Sequence, residues 1–153
     1  MILQVLRKIP LLLVSVAFCA FTLPAGAELG GPASSAQAVA SMNGTLQVTK
    51  AEGYEIHEIQ AAQGAKVREY VSPSGTVFGV AWQGPWKPNL HQLLGSYFDQ
   101  YVKAASADKR MRGAVTVQLP ELVVQSAGHP GAFAGRAYLP QMIPQGASIG
   151  AIK

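Results

Sequence analysis

The sequence predicts a single α+β domain, an antiparallel β-meander of about five strands with one main amphipathic helix packed on it. Three observations carry this. From Thr45 onward, apolar and polar residues alternate with a period of two in short runs separated by turn residues. One later stretch, Leu90 to Val102, switches to helical spacing. The loops between the runs are too short for parallel crossovers, which favours antiparallel pairing.

In chain order, the first 27 residues read as a secretory signal peptide. Arg7 and Lys8 form a positive start, Ile9 to Leu23 an apolar run of about 15 residues, and Ala25-Gly26-Ala27 a small-residue cleavage site. A spanning helix needs ~20 apolar residues, so the run is too short for an anchor. Cleavage is expected after Ala27, which places the protein in the periplasm or outside the cell. The one cysteine, Cys19, leaves with the leader. Phe18 stands before it where a lipidation signal wants a small residue. The remaining 126 of 153 residues then hold no thiol, which excludes disulfides, thiolate metal sites and cysteine nucleophiles. That length suffices for one domain with a real core. Without Arg7 and Lys8 the net charge falls from +4 to +2, and only Lys109-Arg110-Met111-Arg112 clusters, so a nucleic-acid binder is not expected. No transmembrane segment is expected in the mature chain.

Residues 28–44 are expected to form a flexible N-terminus (ELGGPA) and a short helix capped by Ser34 or Ser35. Asn43-Gly44 stops that helix. The main domain is assigned to residues 45–140. Leu46 and Val48, then Tyr54 and Ile56, alternate around the Ala51-Glu52-Gly53 turn. Lys66 to Val71 puts Val67, Glu69 and Val71 on one side and Lys66, Arg68 and Tyr70 on the other. Ser72-Pro73-Ser74-Gly75 is a turn, because proline fixes φ and glycine supplies a positive one. Thr76 to Trp82 is apolar enough for a central strand, with Gly79 marking a bulge or a close approach.

After the Gly84-Pro85-Trp86-Lys87-Pro88 corner, Asn89 caps a helix predicted to run to Ala104. Its stripe is Leu90, Leu93, Leu94, Tyr97, Phe98, Tyr101 and Val102. Gly95 is tolerated there to allow a close approach to the sheet. Ala114 to Gln118 and Leu122 to Gln125 read as strands broken at Pro120. A Gly-rich stretch from Gly128 becomes strand-like towards Tyr138, and residues 141–153 read as an irregular tail.

The segment VREYVSPSGTVFGVAWQGPWKPNLHQLLGSYF, the Leu29-Gly30-Gly31 start and FAGRAYLP from Phe133 to Pro140 together resemble a family of exported proteobacterial proteins, domain of unknown function 2844. The resemblance covers nearly all of the mature chain. It implies a periplasmic or secreted Gram-negative protein and transfers no activity, cofactor or catalytic residue.

The residues offer little catalytic chemistry. His57 and Glu58 are strand neighbours and point to opposite faces, so they cannot share a metal. His91 and His129 stand alone. Ser96, in Leu94-Gly95-Ser96-Tyr97, lacks the strand-to-helix turn of a serine nucleophile. Glu55, Glu58 and Glu69 sit near Lys66 and Arg68, so cross-strand charge pairing explains them. No cofactor and no catalytic residue is expected. The candidate interaction surface is Trp82, Trp86, Arg136 and Tyr138, since aromatic side chains with a polar tip suit a glycan or an envelope protein. A non-enzymatic binding module leads. The alternatives are an enzyme or enzyme accessory using Glu69, His91 or Arg136, and an assembly factor for an envelope machine.

Overall fold

The computed structural model describes residues 28–34, 36–41, 43–107 and 113–153. The predicted leader with Cys19, and the Lys109–Arg112 cluster, lie outside them. The chain runs α1 (Ala36–Ser41), β1 (Thr45–Ala51), β2 (Tyr54–Gln60), β3 (Lys66–Val71), β4 (Val77–Gly84), α2 (Leu90–Leu94), α3 (Phe98–Ala107), β5 (Val115–Gln118), β6 (Val123–His129) and β7 (Ala132–Tyr138). The α+β class holds, with seven strands rather than about five. All pair antiparallel in one sheet of order β1-β2-β3-β4-β7-β6-β5.

That order corrects the single meander. β1 to β4 form one meander, the helical segment crosses the sheet, and β5 to β7 walk back until β7 lies beside β4. All seven strands fall on segments that read as strand-like, so the difference lies in their count and order. Between β5 and β6, Leu119 and Leu122 exchange backbone hydrogen bonds of 2.8 and 3.4 Å in the turn carrying Pro120. The Gly-rich stretch from Gly128 supplies the His129–Ala132 end of the β6–β7 hairpin.

Alternation gives the sheet two covered faces. Val67, Glu69 and Val71 of β3, with Val80 and Trp82 of β4, Ala137 of β7 and Val124 of β6, face the helices. Leu90, Leu93, Leu94 and Tyr101 of the helical segment complete this core. Asn89 caps α2 as predicted, its side chain accepting from the Gln92 N–H at 3.2 Å. The helix is not continuous, however. Gly95 adopts φ +51°, and Gly95–Tyr97 form a 3₁₀ turn before α3 begins. A methyl group at Gly95 would overlap the Glu28 side chain, so the glycine admits the N-terminal segment rather than the sheet. Three residues at 3.0 per turn advance the stripe by about 60° relative to an α-helix. Val102, counted in the apolar stripe, accordingly ends up exposed.

The N-terminal segment is also better anchored than a flexible start. Leu29 is buried, its N–H donating to the Leu93 carbonyl at 2.9 Å. Gly30 N–H donates to the Val77 carbonyl at 2.8 Å, and Val77 N–H to the Gly31 carbonyl at 2.9 Å.

The other face carries Tyr70, Phe78, Ala81, Val123 and Tyr138, and residues 140–153 lie across it. Ile152 is the plug, buried against Gly79, where a Cβ would stand 3.0 Å from the Ile152 Cδ1. The bulge expected near Gly79 is present as a register shift between Tyr70 and Val71 opposite β4.

Candidate functional site

The structure separates the four residues singled out as an interaction surface. Trp82 points to the helix side and is buried. It pairs across the ladder with Gly135, where an added methyl would overlap the indole ring. Among the described residues its indole N–H finds no acceptor. Arg136 and Tyr138 lie on the tail side. Arg136 Nε donates to Gln125 Oε1 at 2.8 Å, and its Nη1 donates to the carbonyls of Ile152 at 3.0 Å and Ile149 at 3.3 Å. The guanidinium stands 6.0 Å over the Tyr138 ring. Tyr138 is buried, so this pair fastens the tail to the sheet.

Trp86 differs from the other three. It is 69% exposed, on a corner where Pro85 and Pro88 keep the chain from continuing either strand or helix. Single exposed aromatics are ordinary, but the residue before this one, Pro85, lines a concavity. An open groove of about 520 Å³ runs between the β2–β3 turn and the β6–β7 hairpin, lined by Gln60, Lys66, Gln83, Pro85, Gly131 and Phe133 among others. The Pro85 carbonyl accepts from the Gly131 N–H at 3.1 Å, which ties the corner to the hairpin. Lys66 is the one charged lining residue, and its Nζ lies 2.8 Å from Glu58 Oε1. The groove therefore offers the Phe133 ring, side-chain amides and backbone polar groups, with Lys66 as its single charge.

The buried carboxylate of Glu69 is the feature that sequence reasoning explained wrongly. It has no solvent exposure and no Lys or Arg partner among the described residues. Instead Ser34 donates twice, from N–H to Oε2 at 2.9 Å and from Oγ to Oε1 at 2.5 Å. His57 Nδ1 lies 3.8 Å from Oε2, beyond hydrogen-bond range. The far nitrogen, His57 Nε2, is 3.5 Å from Glu55 Oε2. Burial pushes the Glu69 carboxyl above the usual carboxylate range, while the Ser34 hydrogen bonds and His57 pull the other way. The signal was an acid in the stripe Val67-Glu69-Val71, which on an apolar face needs an internal partner.

Ser34, Glu69 and His57 are not a nucleophile relay. In such a relay the imidazole stands between hydroxyl and carboxylate and takes the hydroxyl proton. Here the carboxylate stands between, so the imidazole does not reach the hydroxyl. The alternative set of Glu69, His91 and Arg136 does not converge either. Glu69 is under the helices, Arg136 is on the opposite face, and His91 is exposed on α2 against the Phe98 ring at 4.9 Å. The predicted charge pairing holds for Glu58, which lies 2.8 Å from both Lys66 Nζ and Arg68 Nε. These cations hold its carboxyl below the usual range. Among the described residues no helix is long and apolar enough to cross a membrane.

A family model described as "Protein of unknown function (DUF2844)" matches residues 25–152, so the chain belongs to that family. No curated protein and no solved structure matches it.

Proposed function

We propose that this DUF2844 protein is an exported, non-enzymatic binding module of the bacterial envelope, which holds an uncharged glycan strand at the Trp86 corner. The observation that carries the reading is a 69% exposed Trp86 next in sequence to Pro85, which lines a groove of about 520 Å³. Sugar rings stack their C–H faces on an indole, and their hydroxyls need donors and acceptors of the kind Gln60 and Gln83 supply. Lys66, the groove's single charge, is engaged with Glu58, which it shares with Arg68, so hydrogen bonding and stacking rather than charge would select the ligand. Export is supported by the leader pattern of Arg7-Lys8, the apolar run and Ala25-Gly26-Ala27. The buried, serine-capped Glu69 and the dispersed His91 and Arg136 weigh against the enzyme alternative.

The test is co-sedimentation of the purified protein with isolated cell-wall sacculi, with soluble chitooligosaccharides as competitors. Trp86→Ala is expected to weaken retention roughly 30-fold, the size of an aromatic anchor worth about 2 kcal/mol. Retention equal to wild type would overturn the reading. So would a Trp86-dependent protein crosslink in cells without any glycan binding. Export is checked separately by mass spectrometry of the extracytoplasmic protein, which should begin at Glu28.

A further inference from the structure

We infer that the outer edge of β1 is a self-association surface, on which a second copy of this chain pairs its own β1 antiparallel about a two-fold axis through Val48. The two sheet edges are built differently. β5 is only four residues long, and each edge has a helix against it, α3 on β5 and the six-residue α1 on β1. β1 is seven residues long, keeps one unbroken register with β2, and contains no proline or bulge. Natural edges are usually blunted by such breaks, by inward charges or by a covering element. Among the described residues β2 is the only neighbour of β1 in the sheet, and no backbone group outside the strands bonds to Thr45–Ala51. Alternate residues of an antiparallel edge strand direct their N–H and C=O groups outward, so this edge offers a ready ladder. Val48, at its centre, is 48% exposed.

The sequence of the strand decides the occupant. Centred on Val48, Thr-Leu-Gln-Val-Thr-Lys-Ala is complementary to itself when reversed. Val48 meets Val48 of the second copy, and Leu46 meets the aliphatic stem of Lys50. On the other face Gln47 meets Thr49, and Thr45 meets Ala51. β-branched and polar cross-strand pairs of this kind stabilise a ladder. The strand's one charge does not oppose itself. The two Lys50 positions stand four residues apart along the ladder, about 13 Å at ~3.3 Å per residue. That exceeds the screening length of ~8–10 Å at ordinary salt. Lys50 also stands opposite Glu55 in the β1–β2 register. A foreign strand would satisfy the backbone equally well but has nothing on this edge to select it.

Light scattering across a concentration series tests the inference on the full chain. Wild type should approach twice the monomer mass. Val48→Lys places two ammonium groups directly opposite each other and should weaken dimerisation at least about tenfold, with an unchanged circular dichroism spectrum. Val48→Cys in a Cys19→Ser background should form a disulfide-linked dimer under mild oxidation, since opposed Cβ atoms lie about 4.5–5.5 Å apart and need little adjustment. Thr116→Cys on the β5 edge in the same background should not. A monomer at every concentration would overturn the inference. A dimer indifferent to Val48→Lys, or one that fails to crosslink through Val48→Cys, would do the same.

Discussion

Glu58 and Glu69 stand on adjacent strands of one sheet and behave as opposite kinds of carboxylate. Glu58 faces the tail side, at the open end of the sheet, and meets Lys66 and Arg68 at 2.8 Å each. Glu69 faces the helix side, has no exposure, and is held by Ser34. The contrast extends to whole faces. The helix side is closed by the helical segment and by Leu29, which enters the core from the N-terminal segment. The tail side is closed by a strap whose hold rests on Ile152 and on three side chains, Arg68, Tyr70 and Arg136, that bind its backbone oxygens. One face is packed by elements and the other is latched by a segment.

The largest effects are expected where the helix side is filled. Trp82→Ala removes a buried indole braced on Gly135 and should cost about 3–5 kcal/mol in denaturant unfolding. Ile152→Ala on the tail side should stay near the lower end of the aliphatic range, about 2 kcal/mol, because a strap relaxes into the space. Equal losses would remove the distinction between the faces. Next comes Glu69→Ala, which leaves the two donors of Ser34 unpaired at about 1–3 kcal/mol. Amide exchange at Gly30 and Ala33 should accelerate with it, since the same segment carries their bonds to Val77 and Gly75. Unchanged exchange there would show that Ser34 does not anchor the segment.

The pH response should separate the two acids by sign. The folded value of Glu69 lies above its unfolded one, so its contribution is complete below the unfolded value and is lost as pH rises through the folded one. The destabilisation by Glu69→Ala should therefore grow as the solution is acidified. Glu58 has its folded value lowered, so its contribution is present above the unfolded value and is lost as pH falls through the folded one. The effect of Glu58→Ala should shrink on acidification. Its size at neutral pH should be under about 1 kcal/mol, because the pair is partly exposed and screened. Parallel pH profiles for the two variants would contradict this assignment. The smallest effect belongs to Trp86→Ala, within about 0.5 kcal/mol of wild type, as expected for an exposed side chain.

Much of the fold could be read from periodicity. The two-residue alternation of β1 to β4, the Ser72–Gly75 turn and the Asn89 cap are where local preference and tertiary structure agree. Strand order was not legible, because it depends on where the helical segment releases the chain, and no local signal specifies that. The break at Gly95 was hidden for a similar reason. A side chain there would overlap Glu28, which is far away in sequence. Of the proposed surface, Trp86 was marked by its flanking prolines. Trp82 and Tyr138 looked equivalent in type, and only the sheet shows which face buries each. The anchoring of Glu69 by Ser34 spans 35 residues and leaves only the oddity of an acid in an apolar stripe.

Recognition is proposed at the corner, away from both packed faces, and Trp86 can report on itself. The chain has two tryptophans, so Trp82→Phe leaves Trp86 as the sole indole. Titrating that variant with chitooligosaccharides while recording its emission is the direct measurement. A saturable blue shift, as the exposed indole is covered by the sugar, is the predicted result. An emission spectrum that does not move while the same glycan is shown to bind would place recognition elsewhere on the molecule.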